Sequence, residues 1–223
     1  SNCPLSRIKA MNNSSFIRHL LFSIASVSIG VLSCAAQKMD STFYDNGQVR
    51  SIGMKDSKGK QGKWVFYYTD GKKNSIENYL DDVLHGEVSG YNVSGTKISF
   101  ESWINGLPED SAFYYHDSGK LKRKGIYKNG LYAGEWLVYF DNGKLERKGS
   151  YENGLPSGLW ENYNTNGFII EKGMYKNGVQ HGLFQFFDDK GRLQYEGNYA
   201  EGKEVGKWFY ITKKGKKKLY IVY

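Results

Sequence analysis

From residue 43 onward the apolar positions come in short runs, such as EWLVYF at 135–140 and KLERKGSY at 144–151, each closed by a segment that carries glycine. Runs of this length predict strands, because they are too short and too often bounded by glycine for helices, and their aromatic residues suit a pleated surface. Side chains alternate along a strand, so Trp136 and Tyr139, three apart, are expected on opposite faces. Both faces of the sheet should then carry rings.

The runs recur with a fixed beat. Gly47, Gly71, Gly95, Gly119, Gly143, Gly167, Gly191 and Gly215 follow one another at intervals of 24 residues, with no insertion or deletion. Two aromatic columns keep the same interval: Tyr67, Tyr91, Tyr115, Tyr139, Tyr163 and Phe187 form one, and Tyr79, Trp103, Tyr127, Tyr151, Tyr175, Tyr199 and Tyr223 the other. A third column holds Gly62, Gly86, Gly134, Gly158, Gly182 and Gly206, interrupted by Asp110. Two residues further on lie Trp64, Trp136, Trp160, Phe184 and Trp208, interrupted by Val88 and Ala112. A period of this size marks a stacked repeat in which each unit buries its apolar residues against its neighbours.

Each unit reads as a pair of strands. The DNG of residues 45–47 and 141–143 is expected to form a tight hairpin with both central residues at positive φ, while YENG or YKNG, followed by three residues and a glycine, should make the looser connection. Equivalent rings of successive units would stack into ladders worth about 0.2–1 kcal/mol per cross-strand pair. The predicted fold is all-β, an elongated single-layer antiparallel sheet of tandem 24-residue hairpins.

The pattern Y-x-N-G-x-x-x-G-x-W-x-x-Y-x-x-N-G-x-L resembles the MORN repeat in its bacterial tandem variant. The likeness runs over residues 43–223, about seven and a half units, and is best from Lys122 to Tyr210. It implies an interaction or scaffolding module; some proteins with such arrays are labelled antitoxins. Two units depart from the pattern, with Lys58 and Asp110 where others have glycine and Ala112 in place of tryptophan, which marks them as bulged, as a contact site, or as drifted repeats.

Candidate chemistry is sparse. His85 and His181 share one repeat offset, just before a glycine, and read as turn residues; with His116 they are the histidines beyond the amino-terminal segment, and no metal or other cofactor is expected. Acidic neighbours such as Asp81 and Asp82, Glu109 and Asp110, or Asp188 and Asp189 fall near turns, and a flat periodic sheet offers no enclosed cleft for paired carboxylates. No catalytic residue is assigned. Trp64, Trp136, Trp160 and Trp208 are candidate binding aromatics, since a ring face can stack on a sugar, although the same column also serves packing.

The amino-terminal segment reads as an address. From Met11 a short region with Arg18 precedes an apolar run, Leu20 to Leu32, and then small residues, which resembles a bacterial secretory signal. The stretch VLSC resembles a lipobox, with Cys34 as the lipid attachment point; cleavage after the small residues beyond it is the alternative. The expected division is an upstream extension at 1–10, the signal at 11–34, a linker at 35–42 and the array at 43–223. Export follows, to the bacterial outer membrane or periplasm as a lipoprotein, or outside the cell.

Charge adds little. The chain carries +8, but its first 34 residues hold Arg7, Lys9 and Arg18 and no acid, leaving 28 basic against 23 acidic residues, or +5. That excess is mild, and nucleic acid is not among the expected partners. The lysines at 213, 214, 216, 217 and 218 read as a solvated end, or as a patch for an anionic membrane. The sequence thus points to a non-catalytic repeat protein of the cell envelope that binds another protein. The alternatives are an envelope glycan as partner, or a toxin that the chain neutralises.

Overall fold

The computed structural model describes residues 36–223. The extension at 1–10 and the signal-like segment 11–34 with Cys34 lie outside the described residues. The stretch expected as a linker contributes an edge strand from Lys38 onward, because its residues pair with the strand that follows.

The strands are β1 (Lys38–Phe43), β2 (Val49–Asp56), β3 (Gly59–Tyr67), β4 (Lys73–Leu80), β5 (Val83–Leu84), β6 (Gly86–Tyr91), β7 (Lys97–Ile104), β8 (Leu107–Tyr115) and β9 (Leu121–Lys128). They continue as β10 (Leu131–Tyr139), β11 (Leu145–Glu152), β12 (Leu155–Tyr163), β13 (Ile169–Lys176), β14 (Val179–Phe187), β15 (Leu193–Ala200), β16 (Lys203–Ile211) and β17 (Lys217–Val222). All belong to one antiparallel 17-stranded sheet. It is a plain meander in which each strand pairs with its sequence neighbour, and β5 and β6 lie end to end along β4. The array is a single-layer sheet of tandem hairpins.

The two connections exchange the roles expected of them. In YKNG, Asn129 at φ +50° and Gly130 at φ +79° are the only residues between the paired Lys128 and Leu131, a two-residue turn with both positions left-handed. In DNG only Gly143 has positive φ, +83°; its N–H donates to the Phe140 carbonyl at 2.8 Å, and the Phe140 N–H donates to the Lys144 carbonyl at 2.9 Å. That is a wider turn ended by a left-handed glycine, and the register slips beside it between Val138 and Tyr139. All eight glycines of the series from Gly47 to Gly215 have φ between +75° and +90°.

The glycine that follows YKNG or YENG after three intervening residues makes no connection, contrary to expectation. Gly134 at φ +58° sits inside β10, where residues 134–136 together oppose the single residue between Lys124 and Ile126. This is a bulge, and it turns Trp136 onto Gly125 of the preceding strand. Asp110 takes the same left-handed place at φ +65°, so that departure keeps the bulge.

Successive turns are stapled along one edge. Asn142 Nδ2 donates to the Thr165 carbonyl at 3.0 Å, Asn164 Nδ2 to the Asp189 carbonyl at 2.8 Å, and Lys144 Nζ to the Asn166 carbonyl at 2.9 Å. The Tyr44 and Tyr68 hydroxyls and the His116 ring likewise reach carbonyls one repeat on, at Tyr67, Tyr91 and Tyr139. These bonds set the repeat stacking where side-chain packing is thin.

Candidate functional site

The core of this sheet is a file of rings on one face. Each tryptophan of this column, held by its bulge, lies flat over a glycine of the preceding strand: Trp64 over Gly53, Trp136 over Gly125, Trp160 over Gly149 and Trp208 over Gly197, with Phe184 over Gly173. A Cβ at Gly125 would stand 2.2 Å from the Trp136 ring, so only glycine fits beneath it. Three of the indoles also donate from Nε1 to a carbonyl of that strand, at Met54 (2.9 Å), Ile126 (3.1 Å) and Ser150 (3.2 Å).

From Trp136 onward tyrosines close over these rings from both sides. Trp136 meets Tyr127 and Tyr132 edge-on at 5.2 and 4.6 Å, and edge contacts then run from Tyr151 through Trp160, Tyr175, Phe184, Tyr199 and Trp208 to Tyr223. Tyr132 stacks on Tyr151 at 4.9 Å and joins the two groups. Such pairs are worth about 0.5–1.5 kcal/mol each beyond the area they bury.

This arrangement bears on the tryptophans singled out as binding candidates. Trp64, Trp136 and Trp208 are only 2%, 4% and 5% exposed, each set over its glycine, with tyrosines beside Trp136 and Trp208 and with Phe66 and Lys60 beside Trp64, which leaves little ring face open for a sugar. Trp160 is half-buried, with Tyr151 and Tyr175 edge-on against it. His181 lies within the bulged part of β14 and His85 between β5 and β6, rather than in turns, and each leaves its Nδ1 buried without a partner. Among the described residues no group of three or more His, Cys, Asp or Glu side chains is gathered around a common point.

The ladder has one break. Between Trp64 and Trp136 the ring positions hold Val88 and Ala112, and the glycine positions beneath hold Glu77 and Glu101. The two changes belong together: a side chain under the ring is possible only where the ring is gone. Glu77 accepts hydrogen bonds from Ser75 Oγ at 2.6 Å and from the Tyr79 hydroxyl at 2.5 Å. Glu101 accepts one from Trp103 Nε1 at 3.1 Å and one from the Tyr114 hydroxyl. Sequence reading noticed Ala112 and Val88 but not the two glutamates; the signal was the joint change of two columns in the same two repeats.

Burial and the bond to Glu101 push the Tyr114 phenol up to about 12, and burial beside Glu204 does the same for Tyr199. A free tyrosine ionises near pH 10. Because the folded value is raised, the stabilisation is complete below about pH 10 and is lost as pH rises through about 12. Absorbance titration of tyrosinate in the folded chain should therefore show a late phase near pH 12, with the melting temperature falling between about pH 10 and 12. Tyr114→Phe should shrink that phase, and its persistence at full amplitude would show that Tyr114 is not part of it.

The opposite face is more polar. On it Lys148 pairs with Glu161 at 2.8 Å, Tyr163 donates to the same carboxylate at 2.9 Å, and Gln185 and Lys217 reach Glu196 at 2.8 and 2.5 Å. The pairing holds the Glu161 and Glu196 carboxyls below their usual range.

A family model for the MORN repeat variant matches residues 60–81, 111–129, 133–153 and 180–201. No curated protein matches the chain. Among solved structures, the crystal structures of TcdB2-TccC3 and of TcdB2-TccC3-Cdc42 are similar at 12% identity with a TM-score of 0.18. The alignments cover 79% of this chain and 13% of theirs, and the superposition is too poor to bear on fold or function. The four matched segments all lie in the sheet whose strands, bulges and clasped rings recur every 24 residues, and the chain carries repeats of the MORN variant.

Proposed function

We infer that this chain is a non-catalytic interaction protein of the cell envelope, whose repeat sheet binds another protein. Repeats of this family generally engage proteins or membranes, and they are generally non-catalytic. The observation that carries the reading is the ladder itself. Its rings and glycines are consumed by packing, and the long sheet offers the same kind of surface from many repeats. Attachment through a lipidated Cys34 completes the proposal and would hold the array at a membrane.

The glycan alternative has less support once three of the four tryptophans are covered. An immunity-type role, neutralising a partner toxin, is a special case of protein binding.

The test is an affinity pull-down with the chain from an envelope extract of its source, with mass spectrometry and glycan staining of the retained material. One protein retained at a fixed ratio is the expected result. Glycan retained without protein, or no retention at all, would overturn the reading.

A further inference from the structure

We propose that the break in the ladder is a docking groove for an extended basic segment of a partner protein, with Glu77 and Glu101 each receiving one arginine or lysine side chain. The inference rests on the protein-binding reading above and adds the place and the chemistry of recognition.

The groove is defined by what two repeats give up. Gly53 and Trp64 form one clasp and Gly125 and Trp136 the next, while the two clasps between them are replaced by Glu77 with Val88 and Glu101 with Ala112. Two large rings are thus removed from the face and two carboxylates put in their place. Ala112 is fully buried, and a cavity of about 170 Å³ opens beside Glu77, walled in part by Tyr44, Arg50, Phe66 and Ser75.

Among the described residues neither carboxylate is ion-paired. Their donors are hydroxyls and an indole N–H, and each oxygen keeps a second lone pair. Arg50 lines the cavity with Glu77 without pairing with it and lies 5.9 Å from the Tyr44 ring centre, and the basic side chains at the two flanks are likewise turned to rings. Lys60 Nζ lies 4.5 Å from the Tyr79 ring centre and 5.4 Å from that of Trp64, and the Arg123 guanidinium lies 3.9 Å over Tyr114. The groove walls therefore already hold cations over aromatic faces, and its two carboxylates remain for cations from outside.

The spacing selects the backbone of the occupant. Glu77 and Glu101 stand one repeat apart, two strands or about 9.6 Å along the sheet. A polyproline II segment has three residues per turn and rises about 3.1 Å per residue, so its side chains at i and i+3 share one side about 9.3 Å apart. Such segments dock in aromatic-lined grooves with little ordering cost. The chain's own charge of +8 opposes non-specific attraction of a basic peptide, so binding would report the two carboxylates.

The experiment titrates the full chain into a fluorescein-labelled peptide, Pro-Arg-Pro-Pro-Arg-Pro-Pro, and reads anisotropy. Saturable binding is expected, weakened about tenfold by Glu77→Gln or Glu101→Gln and roughly a hundredfold by both, with the melting temperature of each variant checked. A peptide with glutamine at both arginine positions tests the same contacts without altering the protein and should also bind at least about tenfold more weakly. The inference is overturned if the arginine peptide does not bind, if the glutamine peptide binds as well, or if both glutamate variants bind unchanged. A partner captured by the parent chain and equally by the double variant would remove the groove and leave the protein-binding reading standing. Failure to capture any partner would remove that reading on its own.

Discussion

Trp136→Ala is expected to lower the stability of the array by about 3–5 kcal/mol, the usual cost of removing a fully packed tryptophan. Its ring is 4% exposed, lies against the backbone at Gly125, donates to the Ile126 carbonyl and meets Tyr127 and Tyr132 edge-on. Among the described residues no second layer lies ready to collapse into the space, because β9, β10 and β11 belong to a single sheet and pair in sequence order. Urea unfolding followed by circular dichroism measures the loss. Since stability in such arrays is a sum over repeats and interfaces, the transition should also broaden, the repeats around β9 to β11 opening first. Trp160→Ala, at a half-buried ring, should cost less. A loss below about 1 kcal/mol for Trp136→Ala would mean that the ladder is not what holds the repeats together.

The second large effect is expected at a residue with no side chain. Gly125→Ala places a Cβ 2.2 Å from Trp136 Cδ2, and φ there is not left-handed, so the penalty is steric and should be about 1–3 kcal/mol. The ring is what makes it costly. In a Trp136→Ala background the same substitution should cost close to nothing, giving a coupling about as large as the single penalty. The chain itself already contains the compensated combination twice, as Glu77 with Val88 and Glu101 with Ala112. Additive losses in the double variant would separate the two positions and leave the joint changes at those repeats without a packing cause.

The period, the strands and the turn glycines were legible because each depends on local chemistry repeated at a fixed interval. The exchange of the two turns was not. YKNG and DNG both place Asn before Gly, and which of them becomes the two-residue hairpin depends on whether Lys128 pairs with Leu131 or Tyr139 with its neighbour across the other turn, a matter of register. Gly125 was passed over for a related reason. A glycine inside a strand reads as a weak position, and its use appears only when the bulge at Gly134 swings Trp136 across to it.

The same limit applied to the candidate site. Recurrence of Trp64, Trp136, Trp160 and Trp208 shows that a ring is required but not that both of its faces are covered. Conversely, the glutamates at 77 and 101 carry no recognisable motif. They stand out only against a column of glycines, and only once that column is known to lie beneath the rings.

On the function proposed above, the chain binds its partner and leaves it chemically unchanged. The most direct measurement is the intact mass of the captured partner, incubated in large excess with the chain and followed over hours, alongside a titration of the same pair. One-to-one saturation with no change of mass is the predicted result; conversion of the excess partner to a product of different mass would contradict it.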